Sequence, residues 1–183
     1  MAVEVAHEAL SRIGRSLNEV PRPMEDIAVA LGSLVNRAPA GLLGPNKGLC
    51  TDTTILIKDD DTRYWVRRFT IAHELGHQWL GLTAKEWECS AFAGSMLIPV
   101  EDVAAFLQAT GARPALTLAQ WAEWETTGNI MSRLVHRYGV GYHAMIRGLA
   151  DYGHIAGVEA WTSQLWGTKL YEEYERHYRH LNT

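Results

Sequence analysis

The chain has 183 residues, 47% of them hydrophobic and 21% charged, which is the composition of an ordinary soluble globular protein. Its length suits one domain, or one domain with a helical appendage. The formal net charge of -4 excludes a general basic field for nucleic acid. Two cysteines, Cys50 and Cys89, are too few for a disulfide framework, and no secretion signal or membrane-spanning run stands beside them. These features predict a cytoplasmic protein.

The first third of the chain predicts two helices and then a small antiparallel sheet. Apolar residues recur at helical spacing over residues 2–18, and a second helix is expected from Met24 to Leu31. Alternating segments rich in β-branched residues predict strands over Ser33–Ala38 and Thr53–Lys58. The turn residues between them leave room for a middle strand near Leu49-Cys50.

A long helix is predicted next, and it carries the motif His73-Glu74-x-x-His77. Residues four apart on a helix lie above one another, so both imidazoles leave one face and can hold one metal ion. Catalytic zinc takes three protein ligands, and a glutamate beside the first histidine can act as general base. Two packed core histidines are the alternative, but Glu74 would then be buried without a partner. Gly76, inside the helix, predicts that another part of the chain approaches closely.

The following helix offers a third ligand. It is predicted from Lys85 to Ile98 and is stopped by Pro99. A carboxylate on an otherwise apolar helix is rarely buried unless it is paired or bound to metal, which points to Glu86 or Glu88. Cys89 is a further candidate, as a thiolate. The chemistry alone ranks Glu86 and Glu88 nearly equal as candidates for the third metal ligand.

Both segments resemble the ImmA/IrrE family of HExxH metallopeptidases. Members carry R-F-T-x-A-H-E-x-x-H and then a helix reading E-A-N-x-F-A-x-x-L-L-M-P. The corresponding residues here are Arg68-Phe69-Thr70-Ile71-Ala72-His73-Glu74-Leu75-Gly76-His77 and Glu88-Cys89-Ser90-Ala91-Phe92-Ala93-Gly94-Ser95-Met96-Leu97-Ile98-Pro99. Cys89 and Ser90 stand where the family has Ala-Asn. The likeness covers these two motifs, while the first and last thirds of the chain match only in general layout.

The resemblance implies a site and a reaction. The glutamate that opens the second motif is the family's third ligand, so His73, His77 and Glu88 are expected to hold Zn²⁺, with Mn²⁺ as a substitute. Glu74 is expected to be the general base. Glu86, near the exposed start of its helix, would then only offset the helix dipole. The expected fold is α+β, a mostly helical zincin-like domain whose small antiparallel sheet precedes the HExxH helix.

Beyond Pro99 the chain is predicted to be helical again. Residues 1–112 are expected to form the metallopeptidase core, and residues 113–183 a helical part packed with it as one unit. A terminal helix over residues 159–180 carries an aromatic stripe, which would be buried in the core or, as the alternative, would form a homo-oligomer contact.

Residues 134–149 have the spacing of a helix-turn-helix, with Gly139 at the turn. The second helix offers only His143 and Arg147 as basic groups, so a packing role is favoured over direct nucleic-acid binding. His136 and His154 are, with His143, further candidate donors to a transition state, although a lone histidine is more often structural.

The implied function is a cytoplasmic zinc endopeptidase that cleaves a helix-turn-helix repressor in mobile-element, stress-response or toxin–antitoxin regulation. The alternative is a partner-binding toxin–antitoxin component whose metal site is structural or vestigial. The presence of Glu74 beside the ligands favours the peptidase, since a structural site needs no base. An edge strand beside such a site can hold an extended substrate, and a plain structural sheet is equally compatible with the sequence.

Overall fold

The computed structural model describes residues 1–14, 19–59, 63–111 and 130–155, and it confirms a mostly helical α+β fold with one small sheet. The helices and strands are α1 (Ala2–Arg12), α2 (Met24–Ala30), β1 (Leu34–Ala38), α3 (Ala40–Leu43), β2 (Gly48–Cys50), β3 (Thr54–Lys58), α4 (Tyr64–Leu80), α5 (Glu86–Leu97), α6 (Val100–Ala109), α7 (Ile130–Tyr138) and α8 (Tyr142–Asp151). The first predicted helix ends at Arg12 in the structure, and residues 15–18, its predicted end, lie outside the described residues.

Contacts divide the chain into two compact units, Met1–Pro99 and Val100–Thr183. The predicted boundary lay near residue 112, so the first unit ends earlier than expected and α6 falls with the C-terminal unit. Pro99 marks the division because its ring cannot continue α5. The predicted packing of both parts as one unit stays a prediction.

The sheet has three strands in the order β1-β3-β2. β2 pairs antiparallel with β3, with Gly48 opposite Ile57 and Cys50 opposite Ile55, whereas β1 pairs with β3 in parallel. The sheet is therefore mixed, and the expectation of a wholly antiparallel sheet is corrected. The reason is strand order: the chain reverses between β1 and β2 and again between β2 and β3, so the central strand β3 runs in the direction of β1. β2 occupies one edge of this sheet.

The first unit is built around α4. This helix packs against α1, α2, α5 and the strands β2 and β3. Its most deeply buried residues are Arg68, Ile71, Ala72 and Leu75. The helix ends at Gly81, whose positive φ of 106° is the conformation that glycine adopts without strain. A central helix with its deepest residues on one side provides a rigid base for the residues on the other side.

A buried arginine ties the segment before α2 to the end of α5. Arg22 is 1% exposed, and its guanidinium donates to the carbonyls of Ser95, at 3.1 Å, and Met96. Helix carbonyls near a C-terminus lack intrahelical donors and carry partial negative charge, so a cation is favourable there. This contact fixes the far end of the helix whose first residue enters the site described below.

The second unit contains two helices joined by a short turn where the helix-turn-helix spacing predicts them. α7 and α8 pack together around a turn at Gly139, where φ is 58°. Arg137 of α7 forms a bidentate pair with Asp102 of α6, at 2.6 and 2.7 Å, and the Tyr138 hydroxyl donates to the same carboxylate at 2.6 Å. The predicted terminal helix over residues 159–180 lies outside the described residues.

Within the described ranges, no single helix is both long and apolar enough to cross a membrane.

Candidate metal centre

The two histidines of the HExxH motif leave α4 on the same side, as predicted. Their ring centroids are 5.1 Å apart. Their side chains are 15% and 13% exposed, for His73 and His77 respectively, so they lie at the margin of the core rather than within it. A pair of imidazoles that is anchored by a buried helix and still reachable from solvent suits a site that exchanges ligands.

Glu86 is the third member of a possible metal-binding group with His73 and His77. Its Oε2 lies 3.0 Å from Nε2 of His73, and its Oε1 lies 3.4 Å from Nε2 of His77. The three side chains each offer a ligand atom, and these atoms lie within 4.8 Å of one another. In a tetrahedral site with bonds near 2.0–2.1 Å, ligand atoms are about 3.3 Å apart. The spacing and the donor set of two imidazoles and one carboxylate therefore fit a metal ion.

Glu88, the predicted third ligand, does not face the histidines. Its Oε2 instead accepts the backbone N–H of Lys85 at 3.1 Å, which satisfies a donor at the start of α5. Residues two apart on a helix point roughly 200° apart, so the two glutamates cannot share one direction. In the structure Glu86 faces His73 and His77, and Glu88 caps the helix. The assignment of a metal ligand to either glutamate stays a prediction.

Glu74 is buried next to strand β2, where its side chain lies against Gly48. It is 8% exposed, and burial raises the pKa of its carboxyl above the ordinary value. A hydrogen bond with the thiol of Cys50 and the charges of His73 and His77 act in the opposite direction on that pKa. A carboxylate held in this way is better able to take up a proton than an exposed one.

Strand β2 approaches α4 so closely that it needs a glycine. A Cβ atom on Gly48 would lie 2.5 Å from Cγ2 of Thr70 and 2.8 Å from Oε1 of Glu74. Burial and the hydrogen bond to Glu74 raise the pKa of Cys50 to about 12. Cys50 was not among the predicted site residues. The period-two alternation that puts residues 48 and 50 on one side of the strand was the available signal, but it does not reveal which helix that side meets.

Ser90 supports one of the histidines from α5. Its Oγ lies 3.3 Å from Nδ1 of His73, so a proton on Nδ1 can be donated to the hydroxyl and Nε2 stays free to accept a metal. In the resembling family, asparagine stands at this position. Nδ1 of His77 is buried and has no hydrogen-bond partner among the described residues. Among the described residues, Nδ1 of His73 therefore has a hydrogen-bond partner and Nδ1 of His77 has none.

The close approach predicted at Gly76 is confirmed, and the neighbour is Cys89. A Cβ on Gly76 would lie 3.0 Å from Cα and 3.2 Å from Cβ of Cys89. Cys89 is fully buried, its pKa is raised by burial to about 11, and it is not part of the His-His-Glu group. The pair brings the backbones of α4 and α5 together, which carries Glu86 to the histidines.

The remaining histidine candidates belong to the second unit. His136 and His143 are exposed, and burial lowers the pKa of His154. None of them is a member of the metal-binding group. On α8, Arg147 pairs with Asp151 on the same helix, which further reduces the positive charge available to a nucleic acid.

No protein-family model and no curated protein matches the chain. The resemblance to the ImmA/IrrE family accordingly stays a prediction.

Proposed function

We propose that the chain is a zinc-dependent endopeptidase of the ImmA/IrrE type, in which His73, His77 and Glu86 hold the metal and Glu74 is the general base. The observation that supports this most strongly is the convergence of both histidine Nε2 atoms on the Glu86 carboxylate, at 3.0 and 3.4 Å, beside a buried glutamate. Two histidines and a glutamate are one of the ligand sets of catalytic zinc, and they leave a fourth position open.

Zinc bound at such a site polarises a carbonyl and lowers the pKa of water to about 7, and manganese suits the same ligands. The protein's part is to hold the metal and to move a proton. The Glu74 carboxylate accepts a proton from the attacking water and later delivers it to the leaving amine. Its burial beside the ligands argues against a purely structural site, because a structural metal needs no base.

Strand β2 supports an extended peptide as the substrate. It lies at the edge of the sheet and contacts Glu74 through Gly48 and Cys50, so a segment paired with its outer edge would run past the base. Leu49 points to the other face and is 47% exposed, which leaves an apolar side chain beside that edge. The motif resemblance suggests the kind of protein cleaved, a helix-turn-helix repressor.

The proposal is tested with a quenched-fluorescent peptide library and with any helix-turn-helix protein encoded beside this chain. Zinc-loaded wild type is expected to generate fluorescence and defined fragments by mass spectrometry, and a chelator is expected to stop both. His73→Ala and Glu74→Gln are matched variants: the first should lose metal and activity, the second activity alone. Tight zinc binding without any cleavage would contradict the proposal and favour a structural metal in a partner-binding protein.

A further inference from the structure

Strand β2 contacts the proposed base from one side through alternate residues. Pairing with β3 sets the register, with Gly48 opposite Ile57 and Cys50 opposite Ile55. Both partners are buried, at 3% and 0% exposure, so the sheet face that they share is the face against the core. The register therefore places the Cys50 side chain on the same face of β2 as Gly48.

We propose that Cys50 is a positioning residue for Glu74: its Sγ–H donates a hydrogen bond to one carboxylate oxygen and so leaves the other oxygen to face the metal ligands. The geometry behind it is the packing of β2 on α4, with Gly48 and Cys50 on one strand face and Gly48 directly against Glu74. Gly48, two residues away on the same strand face, makes the contact possible, since a Cβ there would lie 2.8 Å from Oε1 of Glu74. This inference rests on the proposed function for its catalytic meaning, while the contact itself does not.

Two other roles for the thiol fit the structure less well. A metal ligand would need its sulfur near both histidines, but the group of potential ligands in the described ranges consists of His73, His77 and Glu86. A redox sensor would need a ready thiolate, but burial and the Glu74 hydrogen bond raise the pKa of Cys50 to about 12. The thiol stays protonated at neutral pH and is thereby available as a donor.

Holding one oxygen of the base has a defined consequence for catalysis. A free carboxylate can rotate about its last side-chain bond, whereas a carboxylate with one oxygen hydrogen-bonded presents the other in a single direction. Loss of the donor should lower kcat by about three- to tenfold, the effect of one ordinary hydrogen bond, and should leave KM and zinc affinity unchanged. A hydroxyl at the same position can donate in place of the thiol.

The contact is tested first without reference to activity. The chain has two cysteines, so the Cys89→Ala protein carries Cys50 as its sole thiol. Donation of a hydrogen bond lowers the S–H stretching frequency, which infrared spectroscopy measures directly. The band is expected to move to higher frequency when Glu74→Leu is added to that background, with zinc present or absent. An unchanged band would overturn the inference.

The catalytic consequence is tested with Cys50→Ala and Cys50→Ser, each compared with wild type on a peptide from the fluorescent library. Cys50→Ala should show the reduced kcat with unchanged KM and a full equivalent of zinc by calorimetry, and Cys50→Ser should recover most of the rate. Equal kcat in Cys50→Ala and wild type would overturn the positioning role. If wild type binds zinc but cleaves nothing, the proposed function fails and the catalytic role of Cys50 is overturned with it. A shifted infrared band would in that case still establish the hydrogen bond between Cys50 and Glu74.

Discussion

The choice between two glutamates gives the sharpest prediction about the metal centre. Glu86→Ala removes a side chain that is 82% exposed and whose two oxygens face the histidines at 3.0 and 3.4 Å. Glu88→Ala, two residues along the same helix, removes the hydrogen bond to the Lys85 backbone. The two variants are matched in chemistry and differ only in direction.

The expected magnitudes follow from these contacts. Altering a residue that merely orients a ligand costs about 10–100-fold in metal affinity, so loss of one of three ligands should cost at least about 100-fold, or roughly 2.7 kcal/mol. The exposed Glu86 packs little against the core, so the metal-free stability of its variant should match wild type. Loss of the cap in Glu88→Ala should lower the unfolding free energy by about 0.5–1.5 kcal/mol and Tm by roughly 1–6 °C, with zinc affinity within about twofold of wild type.

Isothermal titration calorimetry with zinc measures the first quantity, and thermal unfolding in the presence of a chelator measures the second. Glu86→Ala should show weakened zinc binding at unchanged stability, and Glu88→Ala should show lowered stability at unchanged zinc binding. Wild-type affinity in the Glu86 variant together with lost affinity in the Glu88 variant would refute the assignment and restore Glu88 as ligand.

Three further predictions concern the supports of the fold and site. Ser90→Ala should weaken zinc binding about tenfold by removing the partner of His73 Nδ1, and calorimetry against Ser90→Asn checks whether an amide restores it. Arg22→Ala should lower the unfolding free energy by about 2–3 kcal/mol in urea, because two carbonyls at the end of α5 lose a charged donor; a change below 0.5 kcal/mol would contradict this. Asp102→Asn should cost about 1–2 kcal/mol at neutral pH. The hydrogen bonds with Arg137 lower the pKa of the Asp102 carboxyl in the folded state. The stability difference between wild type and Asp102→Asn is therefore complete above the ordinary carboxyl pKa of 3.8 and should shrink as the pH falls further. Unfolding curves at several pH values would show this.

Local features of the chain were predicted well because they depend on neighbours in sequence. The four-residue step between His73 and His77 determines their common direction on any helix, and Pro99 ends α5 wherever that helix lies. Strand β3 was expected from its β-branched residues, and the structure places it over Thr54–Lys58. The parallel pairing of β1 with β3 was not predicted, since it depends on which strand takes the middle of the sheet.

The differences between the predicted site and the geometry of the structure arise from tertiary contacts. Whether Glu86 or Glu88 meets the histidines depends on where the first turn of α5 crosses α4, which the spacing of charges along the helix does not reveal. The contact between Cys50 and Glu74 joins residues from a short strand and a helix, and only the packing of β2 on α4 brings them together. Motif spacing predicts ligands on one helix, but the proposed third ligand and the proposed support of Glu74 come from other elements.

Glu74 is proposed to take the proton in a zinc-dependent hydrolysis. The most direct measurement compares wild type with Glu74→Gln for zinc binding by calorimetry and for cleavage of the fluorescent peptide library. Glu74→Gln is predicted to bind one equivalent of zinc with near-wild-type affinity and to lose activity by at least about 100-fold, because an amide cannot accept the proton. Cleavage at the wild-type rate by the zinc-loaded Glu74→Gln protein would contradict the claim.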